Sequence, residues 1–202
     1  MTTRPQGTLK SVKMLRTMML AAALGSPVIA ASASVMQAPS VALQGVPLIR
    51  QGYNDCGPAS IAMVLGYFRV PVDVGVISRA TKASPRSYMT VDAISRYVAP
   101  YGLETAVVRG GQLTQLRALI RLGVPTIALQ YFQEVGKVPH FRVPYGFDDQ
   151  GGWLFVADPL AGAVRIRYQD FDTLWNTQGR IFVAVYPPAL RTNVLRAVAG
   201  RA

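Results

Sequence analysis

The chain is 202 residues long and contains one cysteine and one histidine. A single cysteine excludes an internal disulfide, and one Cys with one His excludes a structural zinc site, which takes four such ligands as a rule. Acids are scarce: Lys and Arg number 21 and Asp and Glu 10, for a net charge of +11. Part of that excess sits in residues 1–33, where Arg4, Lys10, Lys13 and Arg16 stand without an acid; removing them leaves +7. No dense Lys/Arg block interleaved with aromatics is present, so nucleic-acid binding has no support. Internal repeats and low-complexity tracts are also missing. Half of the residues are hydrophobic and 15% are charged, which is a globular composition.

No apolar run reaches the roughly 20 residues a transmembrane helix needs. The longest candidate, Met18 to Leu24, follows a basic stretch and precedes Gly25, Ser26 and Pro27. Basic, apolar and small-residue regions in that order predict a cleavable export signal over residues 1–33. Cleavage is expected after Ala33, with Ala30 and Ala31 as alternatives and an uncleaved signal anchor as the competing reading. No cysteine lies nearby, which excludes a lipoprotein anchor. A periplasmic or secreted protein with no stable membrane insertion after signal removal is therefore expected. Residues 34–45 read as a linker, 46–188 as the folded domain and 189–202 as a tail. With Leu190, Val194, Leu195 and Val198 on one face, the tail reads as a short terminal helix or a frayed end rather than a membrane anchor.

The one cysteine lies in Gln51-Gly-Tyr-Asn-Asp-Cys56-Gly-Pro58. Proline suits the first turn of a helix, and Ile61, Val64, Leu65 and Phe68 recur at helical spacing. Cys56 is thus expected at a helix N-terminus, where unpaired N–H groups and the macrodipole favour a thiolate and lower the thiol pKa. The alternative is a small buried hydrophobe. Helices are expected at 71–80 with Asp73 as cap, at 91–101 after Thr90 with Gly102 as stop, and at 112–122 ahead of Gly123. A strand is expected at 104–108. From Val124 onward, β-rich runs at 124–131, 140–147, 153–157, 164–168 and 180–186 are separated by turn residues, with one short helix at 169–175. Helices first and strands later define an α+β domain, its antiparallel sheet packed on the cysteine-bearing helix.

A thiol nucleophile needs a base, a group that orients the base, and donors for the oxyanion. His140 is the only possible histidine base. Asp158 is the candidate orienting group: a hairpin across Asp148 to Gly152 brings the start of one strand beside the end of the other. Asp148 and Asp149 sit at the hairpin tip and fit less well. Gln51 is a candidate oxyanion donor beside the Cys56 N–H, or else a polar loop residue.

From Val46 to Tyr186 the chain resembles the papain-like cysteine peptidases of the bacteriocin-processing, double-glycine-leader family. Gln51, Asp55-Cys56-Gly57-Pro58-Ala59-Ser60, His140-Phe141 and Asp158-Pro159 carry the resemblance. It implies a papain-like fold and a hydrolase without cofactor, with Cys56 as nucleophile, His140 as base, Asp158 as orienting acid and Gln51 as oxyanion donor. It also implies a peptide or protein substrate, cleavage after Gly-Gly-type sites and association with an export system. Two departures stand out. The interval from Gln51 to Cys56 is one residue shorter than papain-like enzymes often have, and Arg142 and Pro144 interrupt an otherwise hydrophobic strand. An acyl transferase or amidase with the same residues, or a non-catalytic peptide-binding module, are the alternatives.

Overall fold

The structure, a computed structural model, describes residues 39–200. The expected export signal over 1–33 lies outside the described residues.

Short apolar strands alternating with turn residues close into one antiparallel sheet. It comprises β1 (Ser40–Ala42), β2 (Glu104–Val108), β3 (Thr126–Tyr131), β4 (Pro139–Asp148), β5 (Trp153–Asp158), β6 (Gly162–Arg167) and β7 (Ile181–Tyr186). The order is β2-β7-β3-β4-β5-β6, and β1 pairs with the far end of β4. The helices are α1 (Cys56–Tyr67), α2 (Val74–Thr81), α3 (Val91–Val98), α4 (Leu113–Arg121), α5 (Tyr168–Asn176) and α6 (Arg191–Val198). This is the expected α+β arrangement of helices against an antiparallel sheet.

Both faces of the central strands are covered. Along β7, Val183 and Val185 join the core built around α1, α2 and α3. The alternate residues Phe182, Ala184 and Tyr186 join a second core containing Leu116, Leu119 and Ile120 of α4 and Phe171 and Trp175 of α5. Period-two alternation then places apolar side chains on both faces, so the strand reads as one continuous hydrophobic run.

The cysteine-bearing helix is more enclosed than its sequence spacing predicts. Every residue from Cys56 to Leu65 is buried, against α2, α3, β3 and β4. A helix surrounded on all sides needs no polar face, and its small residues let neighbours approach. A Cβ on Gly66, for instance, would lie 2.6 Å from the Pro47 ring of the lead-in segment.

Local signals account for the other helices. Asp73 Oδ1 accepts from the N–H groups of Gly75 and Val76 at the start of α2. A 3-10 turn extends α3 to Tyr101, and Gly102 ends it with φ +73°.

One expectation is corrected. β1 lies inside the segment read as a linker, and the Ser40 hydroxyl donates to the Phe147 carbonyl at 3.1 Å. Over its described part the tail is the short helix of its two readings: α6 packs on α4 and β2, buries Val194, and pairs Arg191 with Glu104. The strand expected at 140–147 is present despite Pro144. β4 runs for 10 residues and absorbs the proline in a register shift between Pro144 and Gly146, where a missing N–H is tolerated.

Candidate active site

The site forms where the N-terminus of α1 meets the first half of β4. A turn precedes α1, with Asn54 in the left-handed region at φ 55°, a conformation Asn tolerates better than most residues. Its side-chain amide donates to the Arg86 carbonyl at 2.8 Å. Asp55, the residue before the helix, does not cap it with its side chain. Asp55 Oδ1 instead accepts from the Ser78 hydroxyl at 2.6 Å and the Lys82 ammonium at 2.8 Å. Lys82 also donates to the carbonyls of Tyr53 and Pro85. The loop leading into Cys56 is therefore fixed from the side by α2 and the segment after it.

Cys56 is buried, and the N–H groups of Phe141, Gly57 and Cys56 itself are directed at its sulfur. The Phe141 contact sets the sulfur one residue along the chain from His140. Burial pushes the Cys56 thiol above its ordinary value, more strongly than those three N–H groups pull it down. The expected lowering of the thiol pKa is thus corrected: a thiolate at this helix start gains the dipole but loses its water, and the second effect is the larger.

His140 and Asp158 are brought together as the hairpin geometry implied. β4 and β5 pair with Val143 opposite Ala157, and His140 Nε2 lies 3.2 Å from each Asp158 oxygen. A carboxylate is only an acceptor, so Nε2 carries the hydrogen and Nδ1 is left as the basic nitrogen. The ring packs edge-to-face with Phe132, with centroids 4.9 Å apart and planes at 62°. Burial pushes the His140 imidazole below its ordinary value; the bond to Asp158 opposes this and the charge of Arg142 adds to it. Burial pushes the Asp158 carboxyl up but is outweighed by His140, Arg142 and the Ala161 N–H, which together hold it below the usual carboxylate range. The resting site thus contains a thiol, a neutral imidazole and a carboxylate.

Gln51 lies beside the residues that follow Asp158. Its backbone N–H donates to the Pro159 carbonyl at 3.1 Å, and the neighbouring Arg50 guanidinium donates to the Leu160 carbonyl. The side-chain Nε2 donates to the Gly52 carbonyl at 3.2 Å, while the buried Oε1 has no hydrogen-bond partner among the described residues. Asp149 belongs elsewhere: Arg117, Arg121 and the Tyr168 hydroxyl engage it at the hairpin tip.

Sequence reasoning missed two side chains. Gln130 of β3 stands directly opposite His140 in register, is fully buried, and leaves its Oε1 unpartnered among the described residues. Arg142 of β4 is buried against Asp158. For Arg142 a signal existed, since it lies two residues from His140 and so on the same strand face.

A buried cysteine at a helix start, packed against the strand whose histidine is held by an aspartate of the next strand, is the arrangement of the papain-like cysteine peptidase class. Solved structures share the fold. The peptidase domain of Streptococcus ComA, a bifunctional ABC transporter involved in quorum sensing, matches with a TM-score of 0.60 and 22% identity over 70% of this chain and 98% of that one. A double-glycine motif protease from an AMS/PCAT transporter, solved with its leader peptide, matches at 0.56 and 27% over 73% and 98%. A C39-like peptidase from Bacillus anthracis matches at 0.57 and 17% over 72% and 96%. No curated protein matches the chain. The profile of the peptidase C39 family covers residues 46–185; the chain belongs to that family and is a cysteine peptidase.

Proposed function

We propose that the protein cleaves peptides after Gly-Gly-type sites with Cys56 as nucleophile, His140 as general base, Asp158 as the group that orients the base and Gln51 as an oxyanion donor. The observation that carries this reading is the His140–Asp158 pair on adjacent strands, with the Cys56 sulfur held by the N–H of Phe141. In the forward step the thiol proton passes to His140 Nδ1 as sulfur bonds to the scissile carbonyl carbon. The oxyanion is met by the Cys56 N–H and the Gln51 amide. The imidazolium returns the proton to the leaving amine, the C–N bond breaks, and a thioester remains. Water, deprotonated by His140, then releases the acid and regenerates the thiol. The double-glycine preference is supported by the AMS/PCAT relative, whose leader peptide was solved in complex.

The basic-then-apolar N-terminus supports action outside the cytoplasm, in the periplasm or medium, on peptides handled by an export system. The test uses the mature protein recovered from the extracytoplasmic fraction, expected to begin near Ser34. It is incubated with peptides that differ only at the two residues before the scissile bond, and cleaved bonds are read by mass spectrometry. Gly-Gly peptides are expected to be cut, and Ala-Ala or larger pairs to be cut at least tenfold more slowly. His140→Ala is expected to lose about 10³-fold in turnover. Equal cleavage of all pairs would overturn the specificity, and an active His140→Ala variant the mechanism.

A further inference from the structure

Alternation along β4 sets His140 and Arg142 on one strand face. Continuing the register from Val143 opposite Ala157 sets Arg142 opposite Asp158. One carboxylate therefore faces two basic side chains. Arg142 Nη2 lies 3.0 Å from Asp158 Oδ2. Oδ1 accepts from the N–H groups of Leu160 at 2.7 Å and Ala161 at 2.8 Å. The same guanidinium donates to the Phe132 carbonyl at 2.8 Å and lies over the Phe132 ring, 5.5 Å from its centroid. Phe132 is also the wall of the His140 ring. The Arg142 Nε has no hydrogen-bond partner among the described residues, and Arg142 is 3% exposed.

Desolvating a guanidinium is costly, and an apolar side chain would fill this strand position without that penalty. The two backbone N–H groups and His140 already satisfy Asp158, so Arg142 is not required as a hydrogen-bond donor. It is required by the charge balance of the buried cluster. With Arg142, the site is neutral as thiol, imidazole, carboxylate and guanidinium, and neutral again once the proton has moved from Cys56 to His140. Without it, both states carry an uncompensated negative charge in a site closed to water. The charge of Arg142 also acts on Cys56 directly.

We propose that Arg142 is a positioning residue of the peptidase site, which locks Asp158 in the orientation that receives the His140 Nε2–H and keeps the buried cluster electrically neutral through proton transfer. This rests on the Cys56, His140 and Asp158 reading above.

The test exploits the single histidine, whose ring can be titrated by NMR without ambiguity of assignment. In Arg142→Met, the His140 titration and the acid limb of kcat/KM are both expected to move up by about one pH unit, because the nearest cation has gone while Asp158 remains. In Arg142→Lys the charge stays, so the titration is expected to match wild type. kcat is expected to fall about tenfold, since an ammonium lacks the planar guanidinium that lies over the Phe132 ring while its Nη2 meets Asp158, and so holds the carboxylate less firmly. A folded Arg142→Met protein with the wild-type titration overturns the proposal. If the Met variant does not fold, the Lys variant decides: a wild-type kcat, or a moved titration, overturns it. Cleavage by Cys56→Ala would instead defeat the underlying triad. Inactive Cys56→Ala and His140→Ala beside an Arg142→Met variant with the wild-type profile would defeat Arg142 alone.

Discussion

Asp158 is the residue on which the site converges, and its environment gives the protein a defined response to acid. Its carboxyl and the His140 imidazole are both held below their ordinary values of 3.8 and 6.5. Between pH 6.5 and the lower folded value of His140, the unfolded chain binds a proton that the folded chain refuses. The stability contributed by the neutral ring is thus complete above about pH 6.5 and is lost as pH falls through the folded value. Asp158 has the same sign in a lower window: its contribution is present above about pH 3.8 and is lost as pH falls through its own depressed value. The melting temperature of wild type is expected to decline on acidification from pH 7 to pH 5, and His140→Gln to lose most of that slope. Parallel slopes in the two proteins, measured by calorimetry, would mean that His140 is not the titrating group. Cys56 and His140 were legible in the sequence because each is unique. Gln130 was not, because a buried polar residue looks like an exposed one until its strand is paired; Arg142 left only the signal of its spacing from His140.

At the scale of elements, the loop before α1 is held by a neighbouring helix. The Ser78 and Lys82 bonds fix the Asp55 carboxylate just before the helix start that carries Cys56. The Lys82 ammonium is 2% exposed and Asp55 16%. Removing one partner of such a pair costs about 3 kcal/mol. Lys82→Met is expected to lower urea stability by about that amount. It is also expected to reduce cleavage in conditions where the variant remains fully folded, because the Cys56 loop loses its anchor. Wild-type stability and activity would show that the clamp is dispensable. The helices with local signals, such as Asp73 before α2 and Gly102 after α3, were legible at this scale. So was the β4–β5 hairpin, through the turn at Asp148 to Gly152. β1 was not: its three residues carry no period, and what makes them a strand is Phe147, 107 positions away. α6 was legible as a short helix through Leu190, Val194, Leu195 and Val198, but its seat was not, because that depends on the pairing of Arg191 with Glu104 and the burial of Val194.

Across the whole molecule, the sheet divides two cores, with α1, α2 and α3 against one face and α4, α5 and α6 against the other. The α+β class followed from the order of helical and strand patterns. The second covering layer did not, because strands buried on both faces lose the alternation that tells inside from outside. The sheet serves the chemistry by rigidity: His140, Arg142 and Asp158 ride on paired strands, and Cys56 on a helix buried from its first residue to Leu65. On the proposed reading, this frame makes Cys56 the nucleophile of the peptidase. It is tested most directly by the mass of the protein after brief incubation with a Gly-Gly peptide and quenching in acid, followed by mapping of any adduct. The expected result is a mass increase equal to the N-terminal product less water, carried only by the peptide that contains Cys56 and absent in Cys56→Ala, which no longer cleaves. Cleavage that continues in Cys56→Ala, or an acyl group on any other residue, would contradict it.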